Sequence, residues 1–216
     1  MIFRRIDART AELHQPTTPH FGVESWTRLG VGVPHRVDMH FRCVLHKEAL
    51  CGGFLGVFWA SYIHEPEDKS IYFLQPGSRP GAPRWAQLCT QKHGQASSVR
   101  HEAESLELSF EEPGDLLYAN LSALRYSSPF FYGRWRDRVL IYIFRPGPVV
   151  RFAHSLCGGG PTAAGDDTNP AWDFQLLLPA CVPSQTYELV MRLVFKPWVG
   201  RADVLEEVGK YLGQAA

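Results

Sequence analysis

The chain has 216 residues, with 22 Lys and Arg balancing 22 Asp and Glu to a formal net charge of zero. A neutral balance argues against a nucleic-acid binder, which carries a basic excess. No apolar run approaches the roughly 18 residues of a membrane span, so neither nucleic acid nor membrane is an expected partner.

Hydrophobic residues make up 45% of the chain, enough to bury a core, and the 12% of aromatics suits sheets and stacking surfaces. Residues 1–9 show no apolar secretion-signal core, so a cytoplasmic location is expected. Cys43, Cys51, Cys89, Cys157 and Cys181 form no CxxC pair. With no secretion signal they read as free thiols.

In chain order, residues 1–34 read as an irregular segment with turns at 17–20 and 30–34. Residues 36–45 alternate. Val37, Met39, Phe41, Cys43 and Leu45 share one face, while Arg36, Asp38, His40 and Arg42 share the other. A period of two marks a half-buried antiparallel strand. Residues 52–63 are apolar on both parities, as a strand buried on two faces is. Residues 70–74 are expected to return as its hairpin partner, around the loop from His64 to Lys69.

Residues 75–83 have loop composition, and 84–94 show no clear period. Residues 104–110 alternate, with Leu106, Leu108 and Phe110 inward, and 118–125 form a weaker segment. A second doubly apolar strand covers 139–144, and 149–154 returns after the Pro146-Gly147-Pro148 turn. A long Gly-rich loop spans 158–170. Trp172, Phe174, Leu176 and Leu178 alternate, as do Tyr187, Leu189, Met191, Leu193 and Phe195. Val204, Leu205, Val208, Tyr211 and Leu212 recur at helical spacing, predicting a helix over 201–212.

About ten short strands that do not alternate with helices predict an all-β fold, with two packed antiparallel sheets. The expected architecture is a jelly-roll-like β-sandwich, a single domain over 1–216, closed by a short C-terminal helix.

Five places offer chemistry. The His64–Lys69 loop puts an imidazole beside Glu65, Glu67 and Asp68, which suits acid/base work; its bland alternative is a solvated turn. His93, His101 and His154 are imidazoles that can converge in space, but their spacing matches no metal motif, so no metal is expected. Residues 126–136 are dense in aromatics and arginines. Tyr132, Arg134 and Trp135 there suit a platform for a sugar ring, unless Tyr132 is core. The Gly158–Gly160 triplet has neither a GxxxxGK[ST] nor a GxGxxG frame, so no nucleotide cofactor is expected. Asp166, Asp167, Asn169 and Asp173 lack EF-hand spacing, and Asp173 is instead placed facing a pocket.

Residues 54–73, 126–144 and 152–175 resemble an uncharacterised family of bacterial hypothetical proteins, a resemblance that implies no particular activity. More loosely, the strand count and aromatic content are similar to carbohydrate-associated sandwiches of the concanavalin or galactose-mutarotase kind. No ExDxxE strand motif is present, so a retaining glycosidase of that type is not expected.

The expectation is a protein that binds or processes a carbohydrate or similar polyhydroxylated ligand on a concave sheet face. In an enzyme of this kind (a lyase, epimerase or hydrolase), His64, His93 and His154 are the acid/base candidates, with Glu65 or Asp173 as carboxylate partner. Tyr132, Arg134 and Trp135 grip the ligand, and Tyr62 and Tyr72 contribute to its floor. No cofactor is called for, and self-association is left open. The rival is a non-catalytic interaction or assembly module that presents exposed aromatics.

Overall fold

The computed structural model describes residues 1–48, 53–92, 94–108, 119–157 and 169–213. In chain order these form β1 (Ile2–Arg5), β2 (Thr10–Gln15), β3 (Val23–Gly32), β4 (Arg36–Leu45), β5 (Phe54–Trp59), β6 (Ile71–Leu74) and β7 (Trp85–Leu88). There follow β8 (Ser98–His101), β9 (Leu121–Tyr126), β10 (Phe130–Trp135), β11 (Arg138–Phe144), β12 (Val149–Ser155), β13 (Ala171–Pro179), β14 (Thr186–Pro197) and the helix α1 (Arg201–Leu212). No helix among the described residues is long and apolar enough to cross a membrane.

The strands make two sheets. One has nine strands in the order β1-β2-β3-β4-β14-β11-β10-β6-β7, the other five in the order β5-β13-β12-β8-β9. Every pairing is antiparallel except β8–β9, which is parallel. The fold is therefore the expected two-sheet β-sandwich with a short C-terminal helix.

Alternation decides what each sheet buries. In β4, Met39, Phe41, Cys43 and Leu45 point inward and are buried, while His40 and Arg42 point outward. Met39, Phe41 and Cys43 meet Phe152, Trp172, Phe174 and Leu176 of the five-stranded sheet in one apolar cluster. A second cluster lies on the other face of the nine-stranded sheet. There Phe130, Tyr132, Ile141, Ile143 and Val194 pack under Val204, Val208 and Tyr211 of α1. The layers run five-stranded sheet, nine-stranded sheet, helix. Lys196 of β14 pins α1 by donating to Asp203 at 2.7 Å and Glu207 at 2.9 Å.

Three sequence expectations are corrected. Residues 1–34 are not irregular: they hold β1, β2 and β3, which extend the larger sheet by successive hairpins. The segments around 54–59 and 71–74 are not a hairpin. β5 pairs with β13 in one sheet, and β6 pairs with β10 and β7 in the other. The His64–Lys69 loop therefore crosses between layers. Among residues 104–108 the alternation carries no strand, and the rest of that stretch lies outside the described residues. Alternation without a neighbouring edge to bond makes no strand.

Candidate ligand-binding site

The crossing between sheets gathers several predicted residues at one end of the sandwich. After β5 the chain keeps one bridge to β13, Tyr62 opposite Ala171. Ser61 and Ile63 hold on through backbone bonds with Trp172 and Pro170. The chain then turns outward at His64 and Glu65. The carboxamide oxygen of Asn169 accepts from the backbone N–H of Glu65 at 3.2 Å and lies 3.3 Å from His64 Nδ1. Glu65 sits at φ 44°, in the left-handed region that costs any residue with a Cβ free energy. Asn169 thus fixes a turn that local propensity does not favour.

Trp135, the last residue of β10, donates its indole N–H to the His64 carbonyl at 2.7 Å. The Arg136 guanidinium lies 4.5 Å over the Trp135 ring, and Phe195 of β14 stands 6.3 Å from it. Together Tyr62, His64, Trp135 and Phe195, floored by Ile63, Leu140 and Trp172, line a cavity of about 240 Å³. Tyr62 is 60% exposed and Phe195 41%, so two aromatic faces remain open to water. At the rim, His64 Nε2 lies 3.7 Å from a Glu65 carboxylate oxygen. With Nδ1–H donated to Asn169, Nε2 is the ring nitrogen left to take or give a proton. Glu67 receives the Arg136 backbone N–H at 2.9 Å, and its hydrogen bonds hold its carboxyl below the ordinary range.

The other predicted site residues lie elsewhere. Trp135 and Tyr132 were expected to grip one ligand, but a strand points successive side chains to opposite faces. Tyr132 faces α1, stacks on Tyr72 at 5.1 Å and receives Arg201 Nε on its hydroxyl at 3.1 Å. Tyr72 donates to Asp68 at 2.8 Å, and Arg134 lies 4.9 Å over Trp198. Tyr72, Tyr132 and Arg134 therefore glue the helix to the sheet and do not line the cavity. His93 lies outside the described residues.

His154 is 1% exposed and points into the core. The Thr90 backbone N–H donates to its Nδ1 at 3.2 Å, and its Nε2–H donates to the Lys69 carbonyl at 2.8 Å. Burial holds its pKa below the ordinary value. An imidazole with both nitrogens engaged ties β12 to the β6 and β7 approaches. Its expected partner Asp173 is one pair further along the β12–β13 ladder, opposite Ala153, whereas His154 opposes Trp172. The two side chains leave opposite faces of that sheet, so they form no acid/base pair.

Asp173 accepts the Ser61 backbone N–H at 2.6 Å, and burial pushes its carboxyl up to about 7. An unfolded aspartate ionises near 3.9. The folded state therefore binds the extra proton between these values, and stability falls as pH rises through that window. Asp173→Asn keeps an acceptor for Ser61 and removes the buried charge. Thermal melts from pH 4 to 8 should show the variant more stable than the parent above pH 7, by up to about 4 kcal/mol at 1.36 kcal/mol per unit. The two should converge near pH 4; parallel curves would mean that Asp173 ionises without cost.

Sequence reasoning missed three contributors to this site and one polar group away from it. Phe195 looked like an ordinary inward position of β14, Asn169 stood out only as one oxygen of a cation-type loop, and Arg136 only as one arginine of the 126–136 stretch. The group away from the site joins His14 and Glu24 of the segment read as irregular to His46. Glu24 lies 2.7 Å from His14 and 2.8 Å from His46, and these bonds hold its carboxyl below the ordinary range. Trp26 is stacked on His14 at 4.9 Å, and the Arg42 guanidinium lies 4.2 Å over it. Glu12, His14, Glu24, Trp26 and Arg28 alternate with the inward residues of β2 and β3, and that period was the available signal.

No family model and no curated protein matches the chain. Among solved structures, the chain is similar to a GalM/aldose epimerase homologue from C. elegans, with a TM-score of 0.47 at 6% identity over 91% of this chain and 68% of that one. It is also similar to a candidate aldose 1-epimerase from Escherichia coli K12, with a TM-score of 0.39 at 8% identity over 91% and 68% of the two chains.

Proposed function

We propose that the protein binds one ring of a carbohydrate or similar polyhydroxylated small molecule in the cavity at the His64 turn. The observation that carries this reading is the convergence of Tyr62, Trp135 and Phe195 on a cavity of about 240 Å³ with His64 and Glu65 at its rim. Aromatic faces take the apolar side of a sugar ring, while an imidazole and a carboxylate bond its hydroxyls. The volume is below the roughly 300–1,000 Å³ of sites for drug-sized ligands, which suits one ring and not an oligomer. Any proton transfer to the bound ring falls to His64 and Glu65, since His154 and Asp173 face elsewhere.

A thermal-shift panel of monosaccharides and sugar acids tests this reading. A ligand that binds only the folded state raises the melting temperature by mass action. Trp135→Ala should weaken such a ligand at least tenfold, a loss of about 1.4 kcal/mol. His64→Gln should leave binding within a few-fold while abolishing any turnover. If no panel member shifts the wild-type melt, or if Trp135→Ala binds as tightly as the parent, the interaction-module reading replaces this one.

A further inference from the structure

The chain also crosses between the sheets at the other end of the sandwich. β13 runs from Ala171, opposite Tyr62, to Leu177, opposite Val149. Just before Val149 the chain passes from β11 of the larger sheet to β12 of the smaller one through Pro146-Gly147-Pro148. Ser127-Ser128-Pro129 makes a neighbouring passage, from β9 to β10. The Phe144 backbone N–H donates to the Pro129 carbonyl at 2.8 Å and holds the two passages together. Proline has no N–H to donate, so these segments add few ladder bonds that would close the space between the sheets.

With the segment that follows β8, they enclose a cavity of about 510 Å³, against about 240 Å³ at the His64 turn. Tyr126, Phe144 and Val150 line it and are 3% exposed or less. Pro129, Pro148 and Leu106 line it as well, half-buried. Ala103, Ser105 and Gly147 belong to its lining and are themselves exposed, so the cavity opens to water. Two of its charged residues are engaged elsewhere. Arg145 holds its guanidinium 4.7 Å over Tyr211 of α1. Glu104 receives two Arg151 donors on one carboxylate oxygen, and the other oxygen is buried. His101 differs from both. Its Nδ1 accepts the Ala103 backbone N–H at 3.1 Å, which in a neutral imidazole puts the ring proton on Nε2. The ring is also held edge-on to Tyr126, with centroids 5.1 Å apart. His101 is half-buried, and its Nε2–H has no hydrogen-bond partner among the described residues.

We infer that this cavity is a second ligand site, taking a flat, uncharged ring compound whose carbonyl oxygen accepts from His101 Nε2–H. The volume falls in the roughly 300–1,000 Å³ range of small-molecule sites, which suits two fused rings. Aromatic and proline rings offer such a compound apolar faces to lie against. One positioned side-chain donor matches one acceptor oxygen. A sugar would bring several hydroxyls, and each one buried without a partner weakens binding. A carboxylate would meet the carboxylate-bearing Glu104 in the lining, while the guanidinium of Arg145 is turned to α1. The site lies at the opposite end of the sandwich from the aromatic cavity and stands or falls without it.

The test uses three two-ring probes in amide NMR titrations, which register millimolar binding: coumarin, indole and coumarin-3-carboxylate. Coumarin is neutral and carries a carbonyl, indole has no acceptor oxygen, and the third probe adds a negative charge. Coumarin should give saturable shifts at the backbone amides of residues 101–106 and 144–150. Indole should bind roughly three- to tenfold more weakly, the worth of one net hydrogen bond, and coumarin-3-carboxylate more weakly than coumarin. His101→Phe keeps a ring against Tyr126 and removes the donor. It should bring coumarin down to the affinity of indole and leave indole unchanged. Ala103→Trp puts a large side chain at an exposed lining position and should weaken coumarin and indole alike by about tenfold or more. No saturable shift with coumarin, or shifts confined to other residues, overturns the inference. So does coumarin binding as tightly to His101→Phe or Ala103→Trp as to the wild type, or tighter binding of the carboxylate than of coumarin. If His101→Phe does not fold, Ala103→Trp and the wild-type ratio of coumarin to indole affinity decide between these outcomes.

Discussion

Glu104→Gln should destabilise the protein by about 3–5 kcal/mol, the usual cost of removing one partner of a buried ion pair. Glu104 and Arg151 are only 4% and 1% exposed in their side chains, and both Arg151 donors converge on one carboxylate oxygen. Glutamine keeps the shape and an acceptor oxygen, so the change isolates the charge. It removes the charge on which two Arg151 donors converge. Urea denaturation reads the loss directly. A double replacement, Glu104→Leu with Arg151→Met, should recover most of it, because an apolar pair of similar volume avoids the desolvation cost altogether. A single-variant loss under about 1 kcal/mol would place the pair in the range of surface ion pairs, contrary to its burial.

Gly133→Ala should lower the melting temperature, although alanine is ordinarily better than glycine in a strand by roughly 0.5–1 kcal/mol. A Cβ at position 133 would fall less than 3.0 Å from three ring atoms of Trp172. That indole is fully buried and donates its N–H to the Lys69 carbonyl at 2.8 Å, so it has little room to retreat. Overpacking of this kind costs typically about 1–3 kcal/mol. At roughly 2–4 °C per kcal/mol for a chain of this size, the drop is several degrees. Trp172 also floors the aromatic cavity, so ligand affinity should fall with stability. Trp172→Leu placed in the Gly133→Ala background should restore part of the lost melting temperature, because it frees the space the methyl needs. An unchanged or raised melting temperature for Gly133→Ala would mean that the two sheets separate at no cost.

The strands that read best are those with one wet face or none. In β4 the polar parity Arg36, Asp38, His40 and Arg42 stood out against five apolar residues, and the expected span coincides with the strand. β11 read as buried because it lies between two neighbours with packed faces, whereas β13 read as alternating although both its parities are buried, its polar Asp173 and Gln175 included. β1 to β3 were illegible because all four residues of β1 are exposed and much of β2 and β3 is half-buried. A strand held mainly by backbone bonds leaves little hydrophobic contrast in its side chains.

The site was legible in its residue types and not in its assembly. Tyr62, His64, Glu65 and Trp135 meet at the cavity, but Tyr132 and Arg134, adjacent to Trp135 in sequence, belong to the helix side. Strand parity could have separated Tyr132 from Trp135 in advance. Nothing local could have paired Trp135 with His64, 71 residues away, or Arg151 with Glu104, 47 residues away. Phe195 lines the same cavity from β14 of the larger sheet, opposite a chain segment more than 130 residues earlier.

By itself the sequence determined that this chain builds β-structure with a terminal amphipathic helix, and which residues of most strands share a face. Those properties follow from a backbone period that acts within a few residues. Only the tertiary structure decided that β5 and β6 belong to different sheets, and that an aromatic cavity opens where the chain crosses between the two. Strand order is set by the total burial and hydrogen bonding of all the strands together. Residues distant in the chain therefore meet through a choice that no single segment encodes.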